Sequence, residues 1–101
     1  MEKRDQEPNL TFDEQFDRLP INGLVKLPIS IVHPTDVDDG KISMTDEPIE
    51  IYREDKSRKF YIYDGNHRYF DKERDLIKRL GFDHRDEELV EFKKVKNDKP
   101  W

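Results

Sequence analysis

The reading of this chain turns on Lys59-Phe60-Tyr61-Ile62-Tyr63-Asp64-Gly65-Asn66-His67-Arg68-Tyr69. Phe60 to Tyr63 is aromatic and β-branched, with Phe60 and Ile62 on one face of a strand and Tyr61 and Tyr63 on the other. Asp64-Gly65 breaks the strand, and Tyr69 to Leu80 then reads as a helix, with Tyr69, Ile77 and Leu80 on one stripe and Gly81 at its end. A strand that turns through glycine into a helix aims unpaired backbone N–H groups at one spot, and such a spot attracts an anion. Gly65 permits close approach of backbone to a ligand, and Asn66 supplies a cap or an amide donor. Arg68 offers a fork that matches phosphate oxygens, and His67 can move a proton.

Working outward, Pro48-Ile49-Glu50-Ile51-Tyr52 is the natural hairpin partner, joined through the polar turn 54–58. Upstream, Thr11 and Glu14 stand at capping-box spacing, and Phe12, Phe16 and Leu19 predict a short amphipathic helix over 12–18 that Pro20 stops. Leu27-Pro28-Ile29-Ser30-Ile31 is extended, since its proline disfavours helix. Residues 33–47 are an acidic connection without helical periodicity. Asp36 and Glu47 have the spacing of the outer ligands of a calcium loop, but Lys41 stands where that loop needs glycine, so the segment reads as a solvated loop. Residues 89–95 fit either an edge strand or a short helix. The division is a tail and short helix over 1–20, then one domain over 21–101.

Of 101 residues, 43% are charged and 33% hydrophobic, so the core is small, with eleven aromatics supplying much of its area. The chain has no cysteine, which excludes disulfides, thiolate metal sites and cysteine nucleophiles. No apolar run approaches the roughly 20 residues of a membrane span, which predicts a cytoplasmic protein without a membrane partner. The net charge of −5 is uneven: residues 1–50 hold 5 Lys/Arg against 12 Asp/Glu, residues 51–101 hold 14 against 12. The whole molecule therefore repels nucleic acid, while a face of the second half can attract phosphate.

Gly65-Asn66-His67-Arg68, with Asp64 and an aromatic-aliphatic strand before it, resembles the signature of the ParB/sulfiredoxin superfamily, including its ParB-like nuclease domains. Leu27 to Ile31 and Pro48 to Tyr52 resemble that family's opening segment and second strand, so the resemblance covers about residues 24–95. It implies a small α+β domain with a mixed sheet and a helix after the Gly-Asn-His-Arg turn. Sulfiredoxins carry their reactive cysteine where Asn66 stands, so sulfinic acid reduction does not transfer. The helix usual between the opening segment and the strand is shortened or missing here.

The resemblance implies nucleotide (ATP, ADP or CTP) or phosphodiester binding at Gly65, Asn66, His67 and Arg68 more directly than any reaction. If the turn is catalytic, the expected chemistry is phosphoryl transfer or hydrolysis of nuclease or nucleotide-phosphohydrolase type. His67 and Asp64 would be the catalytic groups, and Mg²⁺ could be held by carboxylates from Asp36, Asp38, Asp39, Asp46 or Glu47. Asp64 is equally well a turn residue, and Arg68 has acidic neighbours in Asp64 and Asp71 that could simply pair with it. Tyr61, Tyr63 and Tyr69 are either core or base-stacking groups. Arg53, Lys56, Arg58 and Lys59 read as a solvated hairpin tip, which is also the best candidate for nucleic-acid backbone contact. His33 and His84 show no ligand spacing with His67. From a different class, the alternative is a non-catalytic acidic protein that uses the same fold to bind a protein partner.

Overall fold

The computed structural model describes residues 11–40, 42 and 46–97. They form a small α+β domain with one mixed five-stranded sheet. The strands are β1 (Leu24–Leu27), β2 (Val32–His33), β3 (Ile49–Arg53), β4 (Phe60–Asp64) and β5 (Val90–Lys94), in the spatial order β1-β5-β3-β4-β2. β3 pairs antiparallel with β4, and β1 with β5, whereas β3–β5 and β2–β4 are parallel. The two helices are α1 (Phe12–Arg18) and α2 (Asn66–Leu80), and short 3-10 turns occupy Ile29–Ile31 and Phe82–Glu87.

Alternation decides which faces are buried. Val25, Leu27, Val32, Ile49, Ile51, Phe60, Ile62, Val90 and Phe92 point inward and form one cluster with Phe16 of α1 and Tyr69, Phe70 and Leu76 of α2. The helix stripe expected from Tyr69, Ile77 and Leu80 is shifted: Phe70 and Leu76 are buried, and Leu80 only flanks the core. α2 begins at Asn66, directly after the Gly65 break, so the polar residues Asn66, His67 and Arg68 form its first turn ahead of the apolar stripe.

The ambiguous segment 89–95 is a strand, and it is an interior strand rather than an edge, with β1 on one side and β3 on the other. Its lysines misled the reading. Lys94 faces inward and donates through Nζ to the carbonyls of Phe16 and Leu19 at 3.0 and 2.9 Å, closing the C-terminal end of α1. The capping box of α1 is present in both halves, Thr11 Oγ1 accepting from Glu14 N and Glu14 Oε1 accepting from Thr11 N.

Arg53 corrects another expectation. It is not part of a solvated tip but is 9% exposed, with its guanidinium 4.8 Å from the Phe60 ring centre and 5.6 Å from that of Phe16. It reaches Asp13 Oδ1 at 2.9 Å and Asp17 Oδ1 at 3.2 Å. As the last residue of β3, it has the inward parity of Ile49 and Ile51 and so points under α1.

Tyr69 is core, not a stacking group: it is 4% exposed and its hydroxyl donates to the Ile29 carbonyl at 3.0 Å. Burial first, and the nearby Glu73 carboxylate second, push this hydroxyl up to about 12. A raised folded value means that stability linked to this proton is complete below the ordinary tyrosine pKa of about 10 and is lost as pH rises toward 12. Alkaline titration followed by phenolate absorbance should therefore show a late step that Tyr69→Phe lacks. Superimposable titrations of the two proteins would refute this placement of the ring.

Candidate functional site

β4 ends at Asp64, and Gly65 occupies the N-cap position of α2 with φ +108° and ψ 29°. Only glycine adopts this conformation without strain, and a second constraint acts at the same atom. A Cβ on Gly65 would lie 2.7 Å from Arg68 Nη2 and 2.9 Å from Nε, so the guanidinium is folded back flat against the glycine. The first intrahelical bond of the cap is Tyr69 N to Gly65 O at 2.9 Å. The amides of residues 66 to 68 therefore precede the helical ladder, at the positive end of a 15-residue helix.

Asn66 is the first helical residue and does not cap α2. Its Oδ1 accepts from Thr35 N at 2.9 Å and its Nδ2 donates to Thr35 Oγ1 at 3.2 Å, while Thr35 Oγ1 donates to the Ile62 carbonyl at 2.9 Å. The side chain thus ties the segment after β2 to the strand–helix turn. Thr35 carries no motif, and nothing in its sequence surroundings marks it.

The acidic connection does return to the turn. Asp39 Oδ1 lies 3.3 Å from His67 Nε2, and Asp38 Oδ2 accepts from Arg74 Nη1 at 2.6 Å. The Gly40 amide, then the Arg74 guanidinium, hold Asp38 below the usual carboxylate range. Arg68 contacts Asp64 Oδ2 at 3.3 Å and Glu47 Oε1 at 3.5 Å. Asp71 pairs with Arg74, not with Arg68. The three histidines stay apart: His33 lies against Tyr61, and His84 Nδ1 is 2.6 Å from Glu87 Oε2. Among the described residues no three His, Asp or Glu side chains converge on a point that could hold a metal.

The pairs at Arg68 differ in kind from an ordinary surface ion pair. The Arg68 side chain is 11% exposed, whereas Glu47 and Asp64 are 78% and 70% exposed. A good charge-assisted N–H···O contact measures about 2.7–2.9 Å, so both carboxylates stand farther from the guanidinium than a tight pair would. Arg68 also lines a cleft of about 610 Å³ between α2 and the strands, whose walls carry Lys26 and Lys72 together with five carboxylates, Glu47 among them. That volume is typical of small-molecule sites. Lys72 stands one helical turn beyond Arg68, a spacing readable in the sequence, whereas Lys26 enters the cleft only through the pairing of β1 with β5.

No family model, curated protein or solved structure matches this chain. No helix among the described residues is long and apolar enough to cross a membrane.

Proposed function

We propose that the Gly65–Arg68 turn binds a phosphate group of a cytoplasmic nucleotide or phosphodiester. The observation that carries this reading is Arg68: a guanidinium held against Gly65, over the first turn of α2, by packing that leaves its carboxylate partners exposed and distant. A phosphate oxygen can take their place at shorter range while accepting from the helix amides. The displaced Asp64 and Glu47 then sit beside bound phosphate. They offer the hard oxygen ligands that Mg²⁺ takes, and one or two carboxylates suffice when phosphate completes the shell. Bound Mg²⁺ would neutralise phosphate charge there. His67, oriented by Asp39, is the group placed to move a proton if the site turns over.

A second reading is a non-catalytic acidic protein that binds a protein partner, and it is favoured by the carboxylate beside each cation of the turn. Calorimetric titration with ATP, ADP, CTP and short DNA, with and without Mg²⁺, separates the two. Arg68→Ala should weaken the bound ligand by roughly ten- to a hundred-fold, the loss of one charge-assisted contact. It should also cost some stability, because the packing of a side chain only 11% exposed is lost, but it orphans no buried charge, since the carboxylates left behind are exposed. His67→Ala should retain binding and lose any phosphate release. Unchanged affinity in both variants would hand the site to the acidic-protein reading, and early unfolding of both would make the turn purely structural.

A further inference from the structure

The segment that follows β2 lies along α2. Thr35 is tied to both polar atoms of the Asn66 amide, Asp39 Oδ1 stands 3.3 Å from His67 Nε2, and Asp38 Oδ2 accepts from Arg74 Nη1 at 2.6 Å. His67 and Arg74 stand at i and i+7, on one face of the helix. Residues 35–40 therefore follow that face from the first turn of α2 to the third.

The two ends of this segment are held differently. Thr35 is built into the fold, since its hydroxyl also donates to the Ile62 carbonyl of β4 at 2.9 Å. From Asp36 to Gly40 every residue is exposed, and the one apolar side chain among them, Val37, is 75% exposed. Burial does not hold these residues down, so their fastening is ionic and falls at the low-stability end of the structure. Asp38 is preset as the fastener: its Oδ1 accepts from the Gly40 amide at 2.9 Å while Oδ2 faces Arg74. Exposed ion pairs of this kind are each worth a factor of about five at most, which a ligand can overcome.

We propose that residues 36–40 are an autoinhibitory strap on the anion site. Asp39 takes the place of a phosphate oxygen at His67, Asp38 latches the segment to Arg74, and Thr35 is the fixed hinge. The tether keeps the Asp39 carboxylate at high local concentration, so a nucleotide binds by competing with it and lifting the strap. The His67 ring that Asp39 orients in the free protein is then handed to the phosphate. The proposal rests on phosphate binding at the Gly65–Arg68 turn, and it makes affinity there depend on Arg74, which lies outside that turn.

The sign of one substitution tests it. Arg74→Gln deletes a positive charge and takes a partner from Asp71, and by plain electrostatics both changes disfavour an anion. Release of the latch acts in the opposite direction. In calorimetric titration of the full chain with ATP and no Mg²⁺, Arg74→Gln should bind roughly two- to five-fold more tightly than wild type. Asp38→Asn should tighten binding as well. Asp36→Asn removes an equal charge from the strap but no latch, its carboxylate accepting from the Val37 amide, and should change affinity less. If wild type binds ATP and Arg68→Ala weakens it, but Arg74→Gln binds equally or more weakly, the strap is overturned and the phosphate site stands. If none of these proteins binds ATP, both fall. Should Arg74→Gln unfold, Asp38→Asn is compared with Asp36→Asn, and equal affinities overturn the strap.

Discussion

Gly65→Ala is expected to lower both stability and ligand affinity, although it adds a single methyl group. An alanine at φ +108° is strained by about 1–3 kcal/mol. At about 4–8 °C per kcal/mol for a domain of this size, the thermal midpoint should fall by roughly 5–20 °C. The new Cβ would also stand 2.7 Å from Arg68 Nη2, and the flexible guanidinium must yield. Displacing it would remove the proposed phosphate contact, so affinity should fall as far as in Arg68→Ala. The double variant tells strain and displacement apart. Gly65→Ala/Arg68→Ala should bind no worse than Arg68→Ala alone, while keeping most of the stability loss of Gly65→Ala. Additive binding losses would mean that glycine and arginine act on the ligand separately.

The second large effect is expected at Arg53. Arg53→Ala removes a buried planar cation stacked near two phenylalanine rings and leaves a void under α1. Its partners Asp13 and Asp17 are well exposed, so no buried charge is orphaned and the loss is mainly one of packing. A loss of about 2–4 kcal/mol follows, concentrated in α1. Hydrogen exchange should show the amides of α1 unprotected while those of α2 remain protected. Arg53→Lys should fall between the two, since it keeps charge and stem but not the flat fork. An Arg53→Ala variant with wild-type midpoint and protected α1 would show that the helix is held by Phe16 and Lys94 alone.

Local chemistry made part of this molecule legible. The Thr11/Glu14 capping box, the alternating strands around 49–53 and 60–64 and the glycine at 65 are each decided by residues within a few positions of one another. What could not be read depends on distant partners. Arg53 looks like a turn residue until Asp13 and Asp17 arrive 40 and 36 residues away. Lys93 and Lys94 suggest a solvent-washed edge until β1 closes against β5. At the turn, Gly65 to Arg68 were legible as a unit. Of the carboxylates that accompany them, Asp64 was legible as a partner of Arg68, whereas Asp39 and Glu47 were legible only as members of an acidic group, because a connection without periodicity does not say which of its acids reaches the turn. For Asn66 the sequence left a cap and an amide donor open, and it gives no sign of Thr35, the residue that the side chain holds instead of capping.

The pairing of β1 with β5 also fixes an order of events as the chain folds. β3 and β4 are joined by a short turn, so their hairpin closes at small entropic cost and can form while the rest is still open. β1 waits for β5, and almost the entire domain lies between Leu27 and Val90. During synthesis, the inner edge of β3 therefore emerges long before the strand that covers it, and Ile49 and Ile51 stand uncovered on that edge in the meantime. A nascent chain stalled before Val90 would hold a hairpin with an apolar margin and no partner. Such contacts, distant along the chain, favour slow folding and make completion of the C-terminal strand the step that commits the domain to its native state.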